Sequence, residues 1–375
     1  MLDTWPNLPI HILASQYKTS RLHGEKKSLI ATLKHTGHIC QIQLYGPSGS
    51  QLERILQAMQ KPFPALTSLA IGGSMAMDQA FLGGSAQHLR SCILSAVEFP
   101  GIWKLLLTAN HLVTLDLWHI PYSMYTSPEG MATCLSTMPN LESLSIGFQA
   151  PQPLHNWPDQ PNRPLSPLAR VVLPSLAKFE FQVMGEYFED FVSRIDAPQL
   201  DKVDITFFDQ PVFNTPQLHD FLARIEKFKA HGRGSVVIWG HNIEFELELG
   251  PLSFKLGILC KGLGRQVPSI AQLCSSSLHL PSTLKRLDIR EAPLAHLPDW
   301  QDEAENTQWL DLLHPFTGLV DLHLGKRLVL HCALALRELA GEQVTKVLPT
   351  LQNLFIEGLE PSGPIQEALG QFVDA

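Results

Sequence analysis

The residues that could do chemistry in this sequence are scattered. Six cysteines stand at Cys40, Cys92, Cys134, Cys260, Cys274 and Cys332. None forms a Cys-x-x-Cys pair, the spacing that sets two thiolates on one zinc ion. Cys40 and Cys92 fall inside apolar, strand-like runs, where cysteine behaves as a small hydrophobe. Reduced, structural thiols are expected. The sixteen histidines do not cluster, although His314 and His323 are placed so that they could approach in space. Asp299, Asp302, Glu303 and Glu305 make an acidic stretch. It lacks the alternating oxygen ligands and central glycine of a calcium loop, so a solvated loop is expected. Gly257 to Gly264 lacks the Gly-Lys-Ser/Thr ending of a phosphate loop. Neither a Gly-x-Ser-x-Gly elbow nor a His-Glu-x-x-His motif occurs. Gly72-Gly73 and Gly83-Gly84 read as turn geometry. The expectation is no enzyme, no catalytic residue, no cofactor and no metal. What remains is recognition by a surface.

That surface depends on the elements that carry it. A short phrase recurs: Pro64-Ala65-Leu66-Thr67-Ser68-Leu69-Ala70-Ile71, Pro139-Asn140-Leu141-Glu142-Ser143-Leu144-Ser145-Ile146, Pro174-Ser175-Leu176-Ala177-Lys178-Phe179-Glu180-Phe181 and Pro198-Gln199-Leu200-Asp201-Lys202-Val203-Asp204-Ile205. Pro349 to Ile356 is a further copy, and Leu112–Leu117, Leu284–Ile289 and Leu319–Leu324 repeat it without the proline. The alternation inside each phrase is that of a strand with one buried face. Helical spacing recurs between phrases. Leu52, Ile55, Leu56 and Met59 share a face behind a capping-box pattern at Ser50 and Glu53. Thr215 before Pro216 reads as an N-cap with a first-turn proline. Trp309, Leu310 and Leu313 mark a helix over 306–313, and Ile365, Leu369 and Phe372 a short closing one. From Leu66, phrases begin at intervals of 23, 23, 29, 35 and 24 residues, through Leu89, Leu112, Leu141, Leu176 and Leu200. A strand and a helix in each period of this length are the signature of a leucine-rich-repeat solenoid. The expected fold is α/β: a degenerate horseshoe with a parallel sheet on the concave face and helices on the convex face.

In such an array the third and fifth letters, counted from the first leucine of each phrase, point away from the helices. They form the candidate protein-binding row: Thr114, Asp116, Ser143, Ser145, Lys178, Glu180, Lys202, Asp204, Arg286, Asp288, Asp321 and His323, with Trp118 just past its phrase.

Composition sets further bounds. Apolar residues are 45% and charged residues 17%, enough for a core and against a disordered chain. The formal charge of −8 argues against a nucleic-acid partner. No apolar run approaches the ~20 residues of a membrane span, and the N-terminus lacks the pattern of a signal peptide. An intracellular chain, cytoplasmic or nuclear, is expected. Four stretches are expected: an irregular cap or linker over 1–26, a repeat array over 27–230 with an exposed Pro-rich loop at 148–170, a strand-rich insertion or pair of degenerate repeats at 231–262, and a second array with a cap over 263–375. In the third, Ile243, Phe245, Leu247 and Leu249 alternate with Glu244, Glu246 and Glu248, a half-exposed strand with an acidic face.

Several longer phrases carry a resemblance. Trp5-Pro6-x-Leu8-Pro9-Ile10, His111 to Trp118, Arg194 to Asp201, Asp204 to Phe208, Phe213-x-Thr215-Pro216-Gln217-Leu218, Phe228 to His231, Gln308 to Phe316 and Pro361 to Pro364 together resemble the leucine-rich-repeat region of the F-box-like proteins of basidiomycete fungi. The resemblance covers nearly the whole chain. It implies a substrate-recognition part of a Skp–cullin–F-box ubiquitin ligase receptor, with a protein substrate on the concave face. No F-box pattern precedes Trp5, and Leu8 to Leu13 lacks the helices that would follow in one. A Skp-type adaptor is therefore expected only with an F-box upstream. The alternative is a free-standing leucine-rich-repeat scaffold.

Overall fold

The repeated phrase folds as its alternation dictates. Leu112, Leu115 and Leu117 are buried, as are Leu141, Leu144 and Ile146, Leu176, Phe179 and Phe181, Leu200, Val203 and Ile205, Leu284, Leu287 and Ile289, and Leu319, Leu322 and Leu324. The letters between them look outward. A side-chain period of two, with every second residue apolar, leaves one face of the sheet to be covered by helices and one face open.

The computed structural model describes residues 8–15, 29–45, 49–149, 170–225, 227, 232–250, 252–260, 262–277, 280–292, 305–338 and 347–358. They lie in two units, Met1–Phe181 with Ser193–Leu200, and Gln182–Val192 with Asp201–Ala375. The closing helix, the acidic stretch up to residue 304, and 150–169 of the Pro-rich loop fall outside the described residues. So do the side chains of Ser50 and Glu53.

The first unit runs β1 (Ile10–Ser15), β2 (Ile39–Tyr45), α1 (Gly49–Ala58), β3 (Ser68–Ala76), β4 (Ser91–Glu98), α2 (Ile102–Leu106), β5 (Thr114–Ile120), α3 (Pro128–Leu135), β6 (Ser143–Phe148), β7 (Val171–Val172) and β8 (Lys178–Val183). Its strands lie side by side in the order β1-β2-β3-β4-β5-β6-β8, parallel from β1 to β6. The stretch expected to be irregular at 1–26 therefore contains a strand. Ile10-His11-Ile12-Leu13 alternates, and β1 pairs with β2 along its length, so Leu8-Pro9 opens no helix. One backbone device recurs from β3 onward. The carbonyl just before a strand accepts two N–H groups from the next repeat: Thr67 from Arg90 and Ser91, Arg90 from Val113 and Thr114, Val113 from Glu142 and Ser143. Each repeat thereby satisfies polar groups of its neighbour, which ties folding of one unit to the presence of the next.

The second unit contains most of α4 (Gly185–Ser193). The two-residue strand β9 (Ile195–Asp196) belongs to the first unit, where it pairs with β7. Then come β10 (Lys202–Phe208), α5 (Pro216–Ala223), β11 (Arg233–Trp239), β12 (Asn242–Leu249), β13 (Leu252–Leu259), α6 (Leu263–Ser277), α7 (Leu280–Thr283), β14 (Arg286–Glu291), α8 (Asn306–Leu313), β15 (Asp321–Leu324), α9 (Val329–Glu338) and β16 (Asn353–Ile356). The spatial order is β10-β13-β12-β11-β14-β15-β16. The strand-rich stretch is a meander: β11, β12 and β13 follow one another without a helix, and β12 is antiparallel to both neighbours. The first and last strands of the meander run parallel to β14 and β10. Gln266 of α6 donates to the carbonyls of Trp239 and Cys260, which fastens the helix to the ends of the two outer strands of the meander. The same two-donor device returns at the end of the unit, where Lys285 and then Val320 accept from the following repeat. Strand, turn and helix recur in both units, and the fold is that of a leucine-rich-repeat α/β array.

One helix start departs from the sequence reading. The Thr215 side chain makes no cap hydrogen bond to α5, and its ψ of 55° lies outside the extended region that N-caps favour. The cap comes from the preceding helix instead. Glu189 of α4 accepts from the backbone N–H of Gln217 at 2.7 Å and of Leu218 at 2.9 Å. Burial nevertheless pushes the Glu189 carboxyl above its ordinary range, and these two bonds oppose that shift. Glu189→Ala is expected to lower stability by about 1–2 kcal/mol. Urea unfolding measures it, and Glu189→Gln, which keeps one acceptor oxygen, should fall between the two.

Candidate binding face

Strand register turns the outward letters into rows. In the first unit one row is His11, Gln41, Ser68, Ser91, Thr114 and Ser143, and the next is Leu13, Gln43, Ala70, Ile93, Asp116 and Ser145. These positions are small or neutral until Asp116. The third row carries Tyr45, Gly72, Ser95 and Trp118. Trp118 does not project freely: a Cβ on Gly147 would stand 2.1 Å from its ring, so the indole occupies the space that the glycine leaves. Tyr45 bears the same relation to Gly72, at 2.9 Å.

Around Asp116 the structure gathers four of the predicted residues. Lys178 Nζ lies 2.9 Å from Glu180 Oε2, and Ser145 Oγ donates to the same oxygen at 3.1 Å. Ser145 is itself buried, so this hydroxyl holds Glu180 rather than meeting a ligand. Asp116 Oδ1 is shielded from water without a hydrogen bond among the described residues. Burial, reinforced by the Glu180 charge and opposed by Lys178, pushes the Asp116 carboxyl up to about 6.

This shift has a direct consequence for stability. In the unfolded chain the group titrates near ~3.9. Below that value both states are protonated and the shift contributes nothing. Above about 6 both are ionised, and the folded state holds a poorly solvated charge. Two pKa units correspond to roughly 3 kcal/mol, which solvent screening of a half-exposed group reduces to about 1–2 kcal/mol. Asp116→Asn should therefore stabilise the protein by about 1–2 kcal/mol at pH 8, with the gain disappearing near pH 4. Paired urea titrations at the two pH values test this, and an equal gain at both would contradict it.

The second unit presents a different face. One row reads Lys202, Ser253, Glu248, Arg233, Arg286, Asp321 and Asn353 across seven strands. The next reads Asp204, Lys255, Glu246, Ser235, Asp288, His323 and Phe355. Arg233 and Arg286 are direct cross-strand partners, and like charges so placed repel. Asp288 resolves the conflict: Arg233 Nε donates to Oδ2 at 2.6 Å, and Arg286 Nη2 to Oδ1 at 3.2 Å. Asp288 is buried, yet the two guanidiniums outweigh burial and hold its carboxyl below the usual range. His323 Nδ1 lies 3.8 Å from Asp288 Oδ1, and its ring stacks on Phe355 with centroids 4.1 Å apart and planes 13° apart. Burial and the Arg286 charge push His323 below its ordinary value, against the pull of Asp288 and Asp321, so it is neutral at pH 7. Further along, Glu246 takes Lys255 Nζ at 2.5 Å and Ser235 Oγ at 3.3 Å.

Of the thirteen predicted residues, the structure joins Asp116, Ser145, Lys178 and Glu180 in one cluster and Arg286, Asp288 and His323 in another. Asp321 stands beside the second, bonded to Asn353. Thr114 and Ser143 lie in the neutral row, Lys202 and Asp204 on β10, and Trp118 over Gly147. Sequence reasoning missed Arg233, Lys255 and Phe355. The strand-rich stretch signalled an acidic face on β12 but did not say which strands flank it. His314 and His323 are not brought together. His314 caps the C-terminal end of α8 on the helix side, whereas His323 is on the open face.

The cysteines are free: Cys40 is half-buried and the others are buried. Burial pushes the thiols of Cys92, Cys134 and Cys260 up to about 12, so they are protonated at neutral pH. Among the described residues no three His, Cys, Asp or Glu side chains stand together as a metal-binding set. No helix among them is long and apolar enough to cross a membrane.

No protein-family model and no curated protein matches this chain. Among solved structures it is similar to the leucine-rich repeat-containing protein LegL7 from Legionella pneumophila, at 12% identity and a TM-score of 0.32, over 85% of this chain and 94% of that one. The fold assignment rests on the strand–helix repeats and their shared backbone bonds.

Proposed function

We propose that this chain is a protein-binding repeat module, the substrate-recognition part of an F-box-type ubiquitin ligase receptor, acting in the cytoplasm or nucleus. The observation that supports binding is the open face of the second unit. Its charges are arranged in register, one carboxylate is buried to hold two guanidiniums, and an aromatic pair stands beside them. The ligase role is supported by the resemblance of the long sequence phrases alone. Affinity purification of the full gene product from its own cells, with and without proteasome inhibition, tests it. Recovery of Skp and cullin subunits, with bound proteins accumulating under inhibition, is expected. Partners recovered without ligase subunits, and unchanged by inhibition, would favour a free-standing scaffold.

A further inference from the structure

On the open face of the second unit, Arg233 and Arg286 are cross-strand neighbours that share a single carboxylate. Asp288 takes one nitrogen from each. The remaining guanidinium nitrogens have no recorded acceptor among the described residues, and both arms are more than a third exposed. Arg286 Nε is shielded from water, so the donors left for a ligand are both Nη atoms of Arg233 and Nη1 of Arg286. Planar guanidiniums steadied at one edge present their other N–H groups in a fixed fork, the geometry that carboxylate and phosphoryl oxygens fit in pairs.

The charges around the fork narrow what can enter. In the same row Glu248 stands beyond Arg233 and Asp321 beyond Arg286. An anion is repelled on either side of the arginine pair and attracted at the gap between the two arginines. Beside the gap, in the adjacent row, lies the His323–Phe355 stack, with Phe355 46% exposed. The depressed pKa of His323 keeps that ring neutral, so the stack offers a flat apolar surface rather than a second cation. Neighbouring strands are ~4.8 Å apart, and Phe355 is two strands from Arg286. A peptide crossing the strands in extended form covers that distance in about three residues.

We propose that the Arg233–Arg286 fork and the His323–Phe355 stack form one docking site for an extended peptide segment that carries an anionic side chain about three residues from an aromatic one. The proposal rests on the protein-binding reading and deepens it. The anion is a carboxylate of Asp or Glu or the phosphoryl group of a modified residue, since both fit a guanidinium fork. Affinity falls as salt rises, because the site works through exposed charges.

The test uses a random-peptide display library selected on the intact chain, followed by fluorescence polarisation with synthetic labelled copies of the selected peptides. Enrichment of acidic–aromatic peptides is expected. Gln in place of the acid should weaken binding about tenfold, and so should Arg233→Gln or Phe355→Ser in the protein. Both substituted side chains are exposed, so circular dichroism should show folded variants. Glu-bearing and phosphoserine-bearing versions of the same peptide identify the preferred anion. Enriched peptides that lack an acid, or that bind both variants as well as the parent, overturn this site and leave the protein-binding reading standing. Enrichment of no peptide overturns the site and removes support from that reading as well.

Discussion

Trp309→Ala is expected to lower the stability of the second unit by about 3–5 kcal/mol, the largest single effect anticipated here. Trp309 is fully buried in α8, which packs against α6 and α9. Its ring stacks on His331 with centroids 6.3 Å apart and planes 18° apart. Truncation removes the buried ring, its stack on His331 included, and leaves a cavity that rigid neighbours cannot close. A second substitution separates packing from polarity. The indole Nε1 is shielded from water without a hydrogen-bond partner among the described residues, a cost of about 1–3 kcal/mol already present in the native protein. Trp309→Phe removes that donor while keeping most of the apolar volume, so it should lose less than half of what alanine loses. Urea unfolding followed by far-ultraviolet circular dichroism gives both values. An alanine variant within about 1 kcal/mol of the parent would mean that α8 is not a core helix.

Asp288→Ala is expected to cost about 2–3 kcal/mol at neutral pH. The carboxylate is the shared partner of Arg233 and Arg286, and without it two guanidiniums face each other across adjacent strands. The figure is below that of a fully buried pair because both arginines are partly solvated. The pH dependence has a definite sign. The folded carboxyl is held below its unfolded value of ~3.9, so its contribution is fully present above about pH 4. It is lost as pH falls through the depressed folded value, and parent and variant converge in acid. Arg233→Gln in the Asp288→Ala background should be milder than the sum of the two single changes, because it relieves the repulsion that the first created. Strict additivity would show that the arginines do not feel each other.

The fold was largely legible because its signal is local and repeated. Leu115 and Leu117, or Leu322 and Leu324, need only their own alternation to choose a face, and the helix over 306–313 lies where Trp309 and Leu313 put it. The strand at Ile10–Ser15 was harder. A single alternating segment at an edge is short, and its partner β2 begins more than twenty residues later. The cap on α5 could not be read at all, since Glu189 reaches it from another helix while Thr215 sits at the expected position with an unsuitable backbone angle. The candidate site divides in the same way. Which letters face outward followed from period two. Which of them meet did not, because β11, β12 and β13 enter the row in reverse order and set Arg233 beside Arg286, more than fifty residues away.

By itself the sequence determined a strand–helix repeat, the buried letters of each phrase and the outward row, because periodicity is a property of neighbouring residues. Only the tertiary structure decided that Arg233 stands beside Arg286, that Asp288 is buried between the two arginines, and that His323 lies on Phe355. Those outcomes depend on strand order and register, which are set by contacts between segments far apart in the chain.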